Sequence, residues 1–103
     1  MTDRTKLPPR REHDVVSFDH DGIVYTAGFA RFGDGRLAEL FLNAGKTGTS
    51  LDAMTRDAAI LLSLAAQHGV DIEVIRCALT RNEDGRASGP VGALLDMMAT
   101  GEV

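Results

Sequence analysis

Apolar and polar positions along the chain change period once, near residue 50. Between Val15 and His20, Ile23 and Phe32, and Arg36 and Asn43 the chain is rich in β-branched, aromatic and alternating apolar residues, the period-2 signature of half-buried strands. Asp21-Gly22 and Gly33-Asp34-Gly35 separate these runs. Asp-Gly supplies the positive φ that tight turns between twisted strands require, so the first half predicts a three-stranded antiparallel meander.

From Leu51 the apolar spacing becomes three and four. Leu51, Met54, Ala58, Leu61, Leu62 and Ala65 draw one face of an amphipathic helix, which Ala59, Ile60 and Leu64 widen. This face is expected to be the buried one. Thr49 or Ser50 can cap the helix, Asp52 and Asp57 lie towards its positive end, and Gly69 is a left-handed stop, giving a helix over 50–68. Asp71 can cap a shorter helix carrying Ile72, Ile75 and Leu79, and the polar stretch from Thr80 to Ser88 reads as a mobile loop around Asp84-Gly85. Pro90 suits the first turn of a third helix whose stripe is Val91, Leu94, Leu95 and Met98. The order βββααα predicts an α+β fold, with three helices packed on one face of the antiparallel sheet.

Size and charge narrow the reading. A chain of 103 residues makes one small domain, expected over 14–100, with a core of modest size. Three strands leave two sheet edges and one face to be covered, so pairing with a second copy is expected and the chain reads as a homodimer. Arg4, Lys6, Arg10 and Arg11 against Asp3 and Glu12 give the first twelve residues a net charge of +2, leaving −6 on the remainder. Residues 1–13 read as a disordered basic tail. The acidic body repels a phosphate backbone, which argues against nucleic acid as partner. No window approaches the apolar length of a membrane span, and Cys77, the only cysteine, allows no internal disulfide. A reducing cytoplasm is the expected setting.

Candidate chemistry concentrates where strand gives way to helix. The loop Gly45-Lys46-Thr47-Gly48-Thr49-Ser50 precedes a helix N-terminus, where backbone N–H groups converge and favour an anion. A P-loop needs glycine where Leu40 stands, so nucleotide hydrolysis is not expected. What remains is an anion or nucleotide site made of Lys46, Thr47, Gly48, Thr49 and Ser50, with Arg36 or Arg56 as a further cation. Asp19-His20-Asp21 reads as solvated turn residues rather than a metal site, because adjacent strand residues point to opposite faces. Cys77 reads as a small buried hydrophobe, and no catalytic residue, metal or cofactor is assigned.

The run Asp34-Gly35-Arg36-Leu37-Ala38-Glu39-Leu40-Phe41-Leu42, followed by Gly45-Lys46-Thr47-Gly48 and by Ser63-Leu64-Ala65-Ala66-Gln67-His68-Gly69-Val70, resembles the TSCPD domain. That domain forms the C-terminal portion of vitamin B12-dependent (adenosylcobalamin) ribonucleoside-diphosphate reductases and also occurs as short free-standing proteins. The resemblance runs from about Asp19 to Met98. The Thr-Ser-Cys-Pro-Asp run that names the domain corresponds here to Ala87-Ser88-Gly89-Pro90-Val91, with Gly89 in place of cysteine. The resemblance implies a non-catalytic interaction or regulatory module, because the reductases' barrel, cobalamin site and redox cysteine pair have no counterpart in this sequence. It implies as partner a ribonucleotide reductase subunit, with a nucleotide as the natural small ligand.

Overall fold

A computed structural model describes residues 14–45 and 48–103. The basic segment 1–13, on which the disordered-tail and nucleic-acid readings rest, lies outside them, as do Lys46 and Thr47. The described chain is an α+β fold: strands β1 (Asp14–His20), β2 (Ile23–Arg31) and β3 (Leu37–Ala44), then helices α1 (Ser50–Gln67), α2 (Ile72–Ala78) and α3 (Pro90–Ala99).

The sheet is an antiparallel meander in the order β1-β2-β3. Asp21 and Gly22 both take positive φ, 53° and 78°, so the first hairpin closes with the two-residue turn the sequence predicts. Registers Val16↔Ala27↔Leu42 and Phe18↔Tyr25↔Ala44 line up one face of the sheet. Between Ala30↔Glu39 and Arg31↔Leu37 the register slips, leaving Ala38 as an extra residue of β3, so Leu37 and Ala38 are both buried. Phe18, Tyr25, Ala27, Phe29, Leu40 and Leu42 meet Ala59 and Leu62 of α1 and Leu94 and Leu95 of α3 in one core.

Helix α1 is capped as its sequence predicts, the Thr49 hydroxyl accepting from Asp52 N–H at 3.1 Å, but its phase is rotated. Its buried residues are Asp52, Thr55, Ala59, Leu62, Ser63, Ala66 and Gln67, whereas Met54 and Leu61 of the expected core stripe are 63% and 67% exposed. The cause is the edge of β3. Ser63 Oγ accepts from Leu40 N–H (2.8 Å) and lies 3.0 Å from Leu40 C=O, Gln67 Nε2 donates to Ala38 C=O (2.9 Å), and Asp52 Oδ1 accepts from Ala44 N–H (3.1 Å). Backbone groups of a buried edge need partners, and the helix supplies them from Asp52, Ser63 and Gln67, polar side chains on its buried face. Of the two edges expected to be open, that of β3 is therefore closed. No described strand pairs with the outer edge of β1.

The stretch expected as a mobile loop is a third, small hairpin. Arg31-Phe32-Gly33-Asp34-Gly35-Arg36 and Arg81-Asn82-Glu83-Asp84-Gly85-Arg86 fold alike: Asn82 N–H donates to Arg86 C=O as Phe32 N–H does to Arg36 C=O, both at 2.8 Å. In each the first arginine donates to the glycine carbonyl and the aspartate accepts from the last arginine's N–H. Arg81 bridges to Ala87 across the small hairpin as Arg31 pairs with Leu37.

Candidate functional site

The expected anion loop is built from the end of β3 and the start of α1. Glycine relieves a tight approach at position 45, where a Cβ would stand 3.0 Å from Val24 C=O. Gly48 has φ +78° and is exposed, Thr49 caps, and Ser50 opens the helix. The helix start already carries a carboxylate: Asp52 is buried to 4% exposure and takes Arg56 Nε at 2.9 Å on the oxygen not used by Ala44. Arg56 is thus neutralised within its own helix. Arg36 lies elsewhere. It stands at the opposite end of β3, roughly 25 Å from Gly45 by strand rise, bonded to Asp34 at 2.7 Å and stacked over Phe32. The structure brings Gly48, Thr49 and Ser50 together and separates Arg36 from them.

Arg36 instead borders a cleft of about 560 Å³ between the β2–β3 turn, the α1–α2 junction and α3. Its rim carries Arg31, Arg36, Arg76, Asp71 and Glu73, and Leu95 and Met98 contribute apolar wall. Each guanidinium has a partner: Arg31 the carbonyl of Gly35, Arg36 the carboxylate of Asp34, and Arg76 the carboxylates of Glu73 and Asp96. The cleft is a charge-paired surface with little unbalanced positive charge.

One ionic cluster beneath it escaped the sequence reading. Asp96 of α3 accepts from both terminal nitrogens of Arg81, each at 2.8 Å, and from Arg76 Nη1 at 2.9 Å, tying the third hairpin and α2 to α3. The Arg81 hydrogen bonds, then those of Arg76, hold the Asp96 carboxyl down to about 2. The signal that could have found it is the repeated Arg-x-x-Asp-Gly-Arg motif. Beside the cluster, His20 Nε2 lies 3.1 Å from Ser88 C=O, fastening the first hairpin to the end of the third rather than facing solvent.

Among the described residues, two elements, the sheet and α1, expose three or more large apolar side chains. On the open sheet face Val15, Val24 and Phe41 are 68%, 55% and 49% exposed, separated by the polar row Ser17↔Thr26↔Asn43. On α1, Met54, Ile60, Leu61 and Leu64 point outwards, and an apolar groove of about 260 Å³ lies beside Met54 and Ala58, walled across by Leu79, Pro90 and Val91. Cys77, expected in the core, is exposed on α2, because that short helix lays only Ile72 and Ile75 against the core and Leu79 follows at its end.

The family model of the TSCPD domain matches residues 4–100. The vitamin B12-dependent ribonucleotide reductase of Agrobacterium fabrum is 37% identical over 71 residues, 69% of this chain and 6% of the reductase. That of Bradyrhizobium diazoefficiens is 33% identical over 76 residues, 71% of this chain and 6% of the reductase. The chain therefore spans a small fraction of the curated relatives it matches. No solved structure matches it significantly.

Proposed function

The chain belongs to the TSCPD domain family, and on that footing we propose that it works as a non-catalytic interaction and regulatory module, a single domain over 14–100 that forms a homodimer and docks on a vitamin B12-dependent ribonucleotide reductase in the cytoplasm. The observation that carries this reading is the orientation of α1. Its polar residues Asp52, Ser63 and Gln67 go to the edge of β3, and its large apolar residues go to solvent. Contiguous apolar surface on a small domain marks an interaction site. Among the described residues no helix is long and apolar enough to cross a membrane, so that surface is not a bilayer anchor of the spanning kind.

The experiment is direct titration of the purified chain against a purified vitamin B12-dependent reductase. Binding in the micromolar range, with a change in turnover or in its nucleotide dependence, is the expected result. Absence of binding at about 100 μM, some two orders above that range, would remove the docking reading.

A second reading has one specific support, the N-terminus of α1 behind Gly48, Thr49 and Ser50. In it Lys46, Thr47, Gly48, Thr49 and Ser50 hold a phosphate or nucleotide, without Arg36. Calorimetric titration with a nucleotide panel beside Lys46→Ala tests it, and failure of every nucleotide to bind at millimolar concentration rejects it. The buried Asp52 carboxylate at the helix start opposes an incoming anion and ranks this reading second.

A further inference from the structure

We infer that the outer face of the sheet is the docking surface for the chain's own residues 4–13, with Leu7-Pro8-Pro9 seated across β2 between Val15 and Phe41. The inference goes beyond the proposed function, because it concerns what covers one face of the domain whether or not the domain docks on a reductase. In the register Val15↔Gly28↔Phe41, two exposed apolar side chains flank a glycine, and a Cβ at Gly28 would meet nothing within 4 Å. Val15 and Phe41 stand two strand spacings apart, about 10 Å, so the missing side chain leaves a trough as wide as a single side chain.

Connection, charge and backbone chemistry select the occupant. The family model matches from residue 4, so residues 4–13 belong to the matched unit. They enter the sheet at Asp14, beside Val15, and helix α1 packs on the opposite face. Leu7 precedes Asp14 by seven residues, a reach of up to about 23 Å, roughly twice the width of the sheet from β1 to β3.

Among the described residues the strands bring Asp19 and Glu39 to this face and no arginine or lysine. Glu39 lies on one side of the trough and Asp19 on the other. In the segment, Lys6 precedes the apolar centre and Arg10 and Arg11 follow it. Cations on both sides of an apolar centre therefore meet carboxylates on both sides of an apolar trough. A second copy on the same face would instead set like charges against each other. Pro8 and Pro9 offer no N–H to a strand ladder, which directs the segment to the face and away from the outer edge of β1. Adjacent prolines also hold the chain extended before it docks, so less entropy is lost on ordering.

The test is thiol labelling of Thr26→Cys, two residues from Gly28 on this face, in the whole chain with Cys77→Ser. A bulky maleimide should react about fivefold more slowly beside the native segment than beside Leu7→Asp, as for a face left free about one-fifth of the time. Leu61→Cys, on the outer side of α1, should react equally in both. Equal rates at position 26, or slowing at position 61 instead, overturn the docking. Slowing at position 26 that vanishes on dilution from about 100 μM to 1 μM assigns the cover to another copy and overturns it too. Should Thr26→Cys misfold, amide spectra of the unmodified chain and of Leu7→Asp decide. Shifts at Thr26, Gly28 and Phe41 with Leu94 and Leu95 unmoved are expected, and unmoved Gly28 and Phe41 amides overturn the inference.

Discussion

Replacing Ser63 by alanine isolates the device that turns α1 round. In the native chain the hydroxyl accepts from Leu40 N–H at 2.8 Å, and its proton lies between Leu40 C=O at 3.0 Å and Ala59 C=O at 2.9 Å. The site is buried, with Leu40 1% exposed, so water cannot take over. Removing the hydroxyl leaves an orphaned amide, worth about 1–3 kcal/mol, and weakens the satisfaction of a carbonyl that has a second lone pair. Alanine's better helix propensity returns about 0.5 kcal/mol. The net loss is about 2 kcal/mol, a fall of roughly 10 °C in melting temperature for a domain near 100 residues, or of roughly 1 M in the urea midpoint at unchanged m. Urea denaturation at one fixed protein concentration, beside the exposed control Ser17→Ala, measures it. Hydrogen exchange at the Leu40 amide localises it. A Ser63→Ala variant within 0.5 kcal/mol of wild type, with Leu40 exchange unchanged, would refute the claim that α1 holds the edge of β3 by hydrogen bonds.

Asp96→Asn should cost about 1–2 kcal/mol at pH 7, the Arg81 and Arg76 bonds being partly hydrated. Because the Asp96 carboxyl is held down to about 2 against an ordinary value near 4, its contribution is full above pH 4 and lost as pH falls through 2. Denaturation curves of variant and wild type should therefore converge between pH 4 and pH 2, and curves that stay parallel refute the assignment. Gly35 and Gly85 occupy equivalent positions at φ +90° and +86°, so Gly35→Ala and Gly85→Ala should each cost about 1 kcal/mol by thermal unfolding. Unequal losses differing by more than about 1 kcal/mol would show that the two turns are not energetically alike.

Element types were legible because each half of the chain keeps one period and its breaks use Asp-Gly, Gly69 or Pro90. The rotation of α1 was not, although its trace is present. Asp52, Thr55, Ala59, Ser63 and Gln67 form a second stripe at spacings of three and four, made of small and polar residues. Hydrophobic periodicity assigns such a stripe to solvent, since nothing in a single sequence says that a strand edge with unpaired backbone groups waits opposite it. Cys77 was misplaced for a related reason: a short helix of mostly apolar residues looks buried all round, yet α2 makes only one-sided contact with the core. The loop Gly45 to Ser50 was located correctly as a strand-to-helix junction. Arg36 was joined to it by nearness in sequence, and a fully extended β3 places the two at opposite ends.

The closure of β3 by helical side chains has a consequence for how far assembly can proceed. A meander with two open edges accepts strands on both sides and can grow without limit, as fibres do. Here one side meets a serine, a glutamine and an aspartate that already hold the Leu40 N–H and C=O, the Ala38 C=O and the Ala44 N–H. Strand addition along β3 would first have to peel away an eighteen-residue helix and part of the core. Among the described residues sheet growth is thereby one-directional: joining two copies at β1 would exhaust the edges they leave open, and the product would be a terminated pair rather than a polymer.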